Sequence, residues 1–207
     1  MTLDRSLTSC SIGNATLYQG EALDVIHALP MQVDALITDP PYSSGGMTRG
    51  DRMQAPSAKY VQSGYESVDH NVDFTGDNRD ARSWTFWMSW WLTAVQAKLK
   101  PGGYAMVFTD WRQLPALTDA FQAAGLVWRG VVVWDKTESS RAPHKGYFRH
   151  QCEYVVWGTN GHLTPATHGG PWPGVVRERV DHRKKLHMTG KPVGLMDQLV
   201  QAVPPGG

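Results

Sequence analysis

Val33-Asp34-Ala35-Leu36-Ile37-Thr38-Asp39-Pro40-Pro41-Tyr42 is the stretch on which the reading of this chain turns. Residues 33–38 form a nearly continuous apolar run broken by one Asp near its start, as expected for a strand covered on both faces in a mainly parallel sheet. Two successive prolines follow, fixing two φ angles and restricting Asp39, which precedes a proline. In open α/β sheets ligands bind beyond the carboxyl ends of strands, so this stiff loop lies where a reactive loop belongs. Upstream, residues 15–19 read as a short strand, and Ala22, Leu23, Val25, Ile26 and Leu29 fall on one side of a helix over 21–29. Strand, helix and strand in alternation indicate an α/β fold.

Downstream, residues 43–83 are rich in Gly, Ser, Asp and Arg without a sustained period, and read as a long surface loop. Trp84, Trp87, Trp91 and Val95 then recur at helical spacing, in a helix that ends before Pro101, Gly102 and Gly103. Strands are expected at 104–109, 126–134 and 153–157, with a helix over 114–124 closed by Gly125. Periodicity decides nothing over 158–186. Pro192 suits the first turn of a last helix whose apolar stripe is Val193, Leu195, Met196, Leu199, Val200 and Val203. The 207 residues carry no internal repeat and no clear linker, so one domain is expected.

Composition excludes several classes. Hydrophobic residues at 41% and charged residues at 19% argue against a disordered or collagen-like chain. No run of eighteen apolar residues offers a membrane span, and the first ten residues lack an apolar signal core, so a cytoplasmic protein without a membrane partner is expected. Cys10 and Cys152 cannot make a disulfide framework. The net charge of +1 conceals an asymmetry, because residues 141–187 hold eight Lys/Arg against three Asp/Glu. A basic segment on an otherwise mildly acidic chain points to a polyanion such as DNA.

The Asp39–Tyr42 loop suits an exocyclic amino group on a planar base. Such a nitrogen is a poor nucleophile because its lone pair is delocalised into the ring. If the Asp39 carboxylate and the Pro40 carbonyl accept its two N–H groups, the lone pair is free to face an electrophile, while Tyr42 stacks on the ring. The same acceptors stabilise positive charge that develops on nitrogen as a methyl group arrives. The competing reading is a proline-stiffened turn with a capping Asp.

With these residues in place the chain resembles the amino-methylating DNA methyltransferases, whose catalytic motif has Asp, Asn or Ser before Pro-Pro and an aromatic. Gly20-Glu21-Ala22 resembles the family motif whose acid contacts the adenosine of S-adenosylmethionine. Leu99-Lys100-Pro101-Gly102-Gly103 resembles a turn of the middle region, and His187-Met188-Thr189-Gly190-Lys191-Pro192 resembles the motif closing over the methionine end of the cofactor. The order resembles the β group, in which the catalytic half precedes the cofactor half. Protein-glutamine and ribosomal-RNA amino methyltransferases place a Gly-rich strand upstream of their Pro-Pro-Tyr loop, and here there is no room for one.

The resemblance implies a Rossmann-like methyltransferase fold, a mainly parallel sheet flanked by helices. It also implies Asp39, Pro40, Pro41 and Tyr42 as catalytic residues, and S-adenosylmethionine held by Glu21, Asp39, Lys191 and Pro192. The substrate implied is a base flipped out of double-stranded DNA, adenine N6 because Asp heads the motif. Cytosine N4, or a non-catalytic DNA-binding remnant, is the alternative. The β-group Gly-rich cofactor strands would follow the last helix, where this sequence stops at Gly206-Gly207, so an incomplete cofactor cradle and weak cofactor binding are expected. Target recognition is expected in an insertion at 158–186, with Arg177, Arg179, Arg183, Lys184 and Lys185 on DNA, although a basic run is as often a solvated face. The tryptophans of the helix are more often core than base platforms. No standard spacing joins the histidines and cysteines, so no metal is expected.

Overall fold

The computed structural model of the chain describes residues 8–43, 77–139, 145–163, 169–180 and 189–204. Strands β1 (Thr8–Ile12) and β2 (Ala15–Gln19) form an antiparallel hairpin in which Ile12 pairs with Ala15 across a two-residue turn at Gly13, whose φ of 58° favours glycine. Helix α1 (Ala22–Ala28) and strand β3 (Val33–Thr38) follow. Then come α2 (Ala81–Gln96), β4 (Leu99–Thr109), α3 (Leu114–Ala123), β5 (Val127–Asp135), β6 (Cys152–Thr159), β7 (Val175–Arg177) and α4 (Val193–Val200).

The main sheet has the order β3-β4-β6-β5-β7. Neighbours β3/β4 and β5/β7 are parallel, whereas β6 pairs antiparallel with both β4 and β5. The expectation of a mainly parallel sheet holds for strand direction, with β6 reversed against the other strands. Side chains alternate across it. Ala105 and Val107 of β4 face a core built from Trp84, Met88, Leu92 and Val95 of α2 with Leu117 and Phe121 of α3. Tyr104, Met106 and Phe108 face the opposite core, closed by Leu195 and Leu199 of α4. Fully burying such a side chain contributes about 1.5–3 kcal/mol relative to exposure.

β3 differs from expectation. Its residues are half-buried throughout, because it stands at the sheet edge and no strand pairs with its far side among the described residues. The expected loop at 43–83 is cut short at its end. Asp80 caps α2 by accepting from the backbone N–H groups of Arg82 and Ser83, both at 3.0 Å, and starts the helix at Ala81; residues 44–76 of that loop lie outside the described residues. Within 158–186, β7 is a strand that periodicity does not reveal.

The Pro-Gly-Gly turn is drawn into β4 as a bulge. Val33 pairs with Leu99, but Ala35 pairs with Tyr104, so Lys100–Gly103 loops out opposite Asp34. Gly102 has a φ of 78°, and a Cβ on Gly103 would stand 2.9 Å from the Asp34 carbonyl oxygen. Asn160 ties the bulge to its neighbours: its amide Nδ2 donates to the carbonyls of Gln96 and Leu99, and its backbone exchanges hydrogen bonds with Gly102 and Gly103.

Close packing of α3 on the sheet makes Gly158 intolerant of a side chain, since its Cβ would come within 2.1 Å of the Val127 carbonyl oxygen and 2.6 Å of the Phe121 ring. Gly158→Ala should lower the urea unfolding free energy by about 2–3 kcal/mol through overpacking. Gly174→Ala, with open space around the new methyl group, should stay within about 0.5 kcal/mol of the parent. Coincident unfolding curves for the two variants would refute this account of the α3 face.

Candidate active site

The Asp39–Tyr42 loop leaves the C-terminal end of β3, and each of its last two carbonyls is claimed by a different element. Trp84 of α2 donates from its indole nitrogen to the Pro41 carbonyl at 2.7 Å, and Gln113, in the turn before α3, donates to the Tyr42 carbonyl at 2.8 Å. Ser43 adopts a φ of 56°, uncommon for a residue with a side chain. It is held there by Asp77, which accepts the Ser43 N–H at 2.8 Å, and by its own Oγ, which accepts the Arg79 N–H at 3.1 Å. Among the described residues no group donates to the Pro40 carbonyl. The loop is thus fixed along its length by hydrogen bonds from distant elements.

Around Asp39 the structure assembles four charged or polar groups. Tyr42 Oη donates to Oδ1 at 2.6 Å, and Lys191 Nζ donates to Oδ2 at 2.5 Å. Lys191 comes from the segment just before α4. Its side chain is only 10% exposed, against 31% for Asp39, and its ammonium lies 5.5 Å from the Tyr42 ring centre and 5.3 Å from that of Phe108. A second carboxylate, Glu153 of β6, places Oε2 at 3.7 Å from the same ammonium while Lys136 donates to Oε1 at 3.0 Å. Burial pushes the Tyr42 phenol well above its ordinary value of 10.0, and the Asp39 and Glu153 carboxylates push it further. Tyr42 therefore stays neutral, and it donates to Asp39 at any physiological pH.

Sequence-predicted residues divide into three groups. Asp39, Pro40, Pro41, Tyr42 and Lys191 share one site, and Pro192, which serves as the N-cap of α4 rather than lying inside its first turn, adjoins Lys191. Glu21 is exposed at the N-terminus of α1, and no hydrogen bond or ion pair joins it to this cluster among the described residues. On the basic segment, Arg177 sits on β7 with its Nε 3.4 Å from Asp135 and Arg179 is exposed; Arg183, Lys184 and Lys185 lie outside the described residues. Sequence reasoning missed Glu153, Gln113 and the indole donor of Trp84. It also missed Trp111, 48% exposed after β4 and stacked on His150 with ring centres 5.8 Å apart at 14°. Trp84 and Trp91 are core residues as expected, whereas Trp90 is exposed.

Comparison with known proteins gives the family. A model described as DNA methylase, of the N6/N4 type, matches residues 33–166, more than half of the chain. The chain belongs to the N6/N4 DNA methylase family. YubD of Escherichia coli (strain K12), named as a methylase, is 27% identical over 185 residues, covering 89% of this chain and 68% of YubD. Among solved structures, the M1.HpyAVI–SAM complex superposes with a TM-score of 0.59 at 15% identity over 89% of this chain and 74% of that one. TTHA0409 of Thermus thermophilus, named as a DNA modification methylase, gives 0.56 at 12% identity over 89% and 73%. These likenesses show a shared methyltransferase fold.

The cofactor of this methylase family is S-adenosylmethionine. The residues present fit its zwitterionic methionine end. An ammonium has three N–H donors. Lys191 gives one to Asp39 and directs another at the Thr189 carbonyl, 3.4 Å away, so one remains for a carboxylate. Among the described residues the buried Oε2 of Glu153 has no hydrogen-bond partner, so the cluster also carries acceptor capacity that they do not use.

The raised Tyr42 value has a signed consequence. In the unfolded chain the phenol ionises near pH 10, whereas in the folded chain it holds its proton to higher pH. Its contribution to stability is therefore present in full below about pH 10 and is lost as pH rises through the folded value. Between pH 9 and 11 the unfolding free energy of the parent should fall more steeply than that of Tyr42→Phe, measured by urea titration at each pH. Parallel profiles would show that the phenol is not held neutral by the fold.

Proposed function

We propose that this chain catalyses methyl transfer from S-adenosylmethionine to the N6 amine of an adenine extruded from double-stranded DNA. The observation that supports this reading is a fixed Asp39 carboxylate followed directly by the Pro40 carbonyl, to which no described residue donates, at the end of β3. Two acceptors on one rigid loop suit a group with two N–H donors, and binding them directs the nitrogen lone pair out of conjugation. S-adenosylmethionine, when bound, supplies an electrophilic methyl group, and Lys191, Asp39, Pro192 and Glu21 are the residues assigned to hold it. Asp39 then stabilises the positive charge that builds on nitrogen, and the nitrogen gives up its surplus proton to solvent as S-adenosylhomocysteine departs. Neutral Tyr42 orients Asp39 through the 2.6 Å hydrogen bond, and its ring, which Lys191 approaches, is the aromatic assigned to stack on the base.

A duplex hides the target amine in base pairing, so extrusion costs a few kcal/mol. Trp111, already stacked on His150 and with the Arg112 guanidinium 4.9 Å from its ring centre, supplies an aromatic and cationic surface beside Gln113, whose side chain holds the catalytic loop. Base stacking on such rings contributes about 1–3 kcal/mol per base.

Asp39→Ala should abolish tritiated methyl transfer to unmethylated bacterial genomic DNA while DNA affinity stays within about threefold, since phosphate contacts carry most sequence-independent binding. Nucleoside analysis of the product should give N6-methyl-2′-deoxyadenosine; N4-methyl-2′-deoxycytidine would reassign the target base, and DNA binding without turnover by the parent would favour a binding remnant. Arg177, Arg179, Arg183, Lys184 and Lys185 are assigned to the DNA-contacting surface. Replacing Arg183, Lys184 and Lys185 by Ala should flatten the slope of log affinity against log salt by about 2–3 if all three touch phosphate. An unchanged slope in fluorescence anisotropy would make the cluster a solvated face.

A further inference from the structure

The Asp39–Lys191 contact poses a problem for the proposed reaction. A carboxylate neutralised by an ammonium at 2.5 Å is a weaker acceptor for an amine and a weaker stabiliser of positive charge on nitrogen than a free one. The protein holds the same ammonium near a second carboxylate. Glu153 Oε1 is occupied by Lys136 at 3.0 Å, but Oε2 is buried, has no hydrogen-bond partner among the described residues and faces Lys191 at 3.7 Å. A buried charged oxygen without a donor is costly, and such an atom calls for an explanation.

We propose that Glu153 is a positioning residue that provides a second seat for Lys191, so that Lys191 pairs with Asp39 in the resting site and shifts to Glu153 Oε2 when the target amine arrives. The inference rests on the amine-methylation reading above and adds to it a residue and a movement. Closing 3.7 Å to the about 2.8 Å of a charge-assisted hydrogen bond requires a displacement of only about 1 Å. No proton changes hands. The ammonium stays between the Tyr42 and Phe108 rings, the total charge of Asp39, Glu153, Lys136 and Lys191 is unchanged, and the negative charge of Asp39 is uncovered beside the nitrogen that becomes positive. Once moved, Lys191 retains donors for the Thr189 carbonyl and a cofactor carboxylate.

Two measurements on the full chain test this. The first needs no turnover: the Lys191 ammonium cross peak, assigned with Lys191→Arg, is followed by NMR on 15N-lysine-labelled protein at about pH 6. Asp39→Asn should keep its hydrogen-exchange rate within about threefold of the parent, because Glu153 takes it. Adding Glu153→Gln to that variant should speed the exchange more than about tenfold, because the ammonium has then lost both charge-assisted partners. Full acceleration in Asp39→Asn alone, or none in the double variant, would overturn the second seat.

The second measurement is steady-state methylation of genomic DNA. Glu153→Gln, nearly isosteric, should lower kcat about tenfold with KM for DNA within twofold, since Asp39 stays covered while docking is untouched. An unchanged kcat would overturn the coupling to reaction. A parent that methylates no DNA would instead sink the amine-methylation reading and with it the catalytic purpose of the shift, while the NMR result still decides whether Glu153 receives Lys191.

Discussion

The ion pair between Asp39 and Lys191 joins groups 152 positions apart in the chain. It fastens the end of β3 to the segment that enters α4, whose Leu195 and Leu199 close the second core against Tyr104, Met106 and Phe108. The Asp39–Tyr42 loop is consequently held from both sides of the sheet: by Trp84 from the α2 face, and by Lys191 from the α4 face. Neither hold would exist without the sheet between them, because β4 supplies apolar side chains to both cores in alternation.

Placing four charges in a partly dry site is costly unless they balance, and here two carboxylates face two ammonium groups. The balance is distributed unevenly, however. Lys136 pairs with Glu153 and Lys191 with Asp39, and among the described residues one oxygen of Glu153 is left without a hydrogen bond. A structure selected only for stability would fill or remove that oxygen, since hydrophobic replacement of buried ion pairs is often neutral or stabilising. Retaining it is the kind of local inconsistency that marks functional sites.

Local signals carried much of the fold. The apolar run at 33–38, the Trp84/Trp91 spacing and the Gly125 stop each act within a few residues, and the structure has β3, α2 and the end of α3 at those places. Gly125, with a φ of 82°, ends α3 as Leu126 N–H reaches back to the Phe121 carbonyl. What escaped was set by distant partners. The bulge in β4 exists because Asp34 and Asn160 close around Gly102 and Gly103, and the short β7 exists because β5 offers it an edge. The site divides in the same way. Asp39 to Tyr42 announced themselves as a stiff loop after a strand, but nothing in the local pattern of Cys152–Thr159 marks Glu153 as the residue that meets a lysine from the far end of the chain. Glu21, legible only through resemblance, is not joined to the cluster by any bond among the described residues.

Trp84 belongs at once to the core and to the loop, with its rings fully buried among α2's partners while its indole nitrogen grips the Pro41 carbonyl. The helix is therefore mechanically geared to the reactive end of the sheet. A slip of α2 by one residue would carry that grip about 1.5 Å along the helix axis, beyond the roughly 0.5 Å within which a catalytic group must be held. Repacking of the α2 core, however conservative in volume, thus reads out as misalignment of a carboxylate whose own hydrogen bonds run to Tyr42 and Lys191.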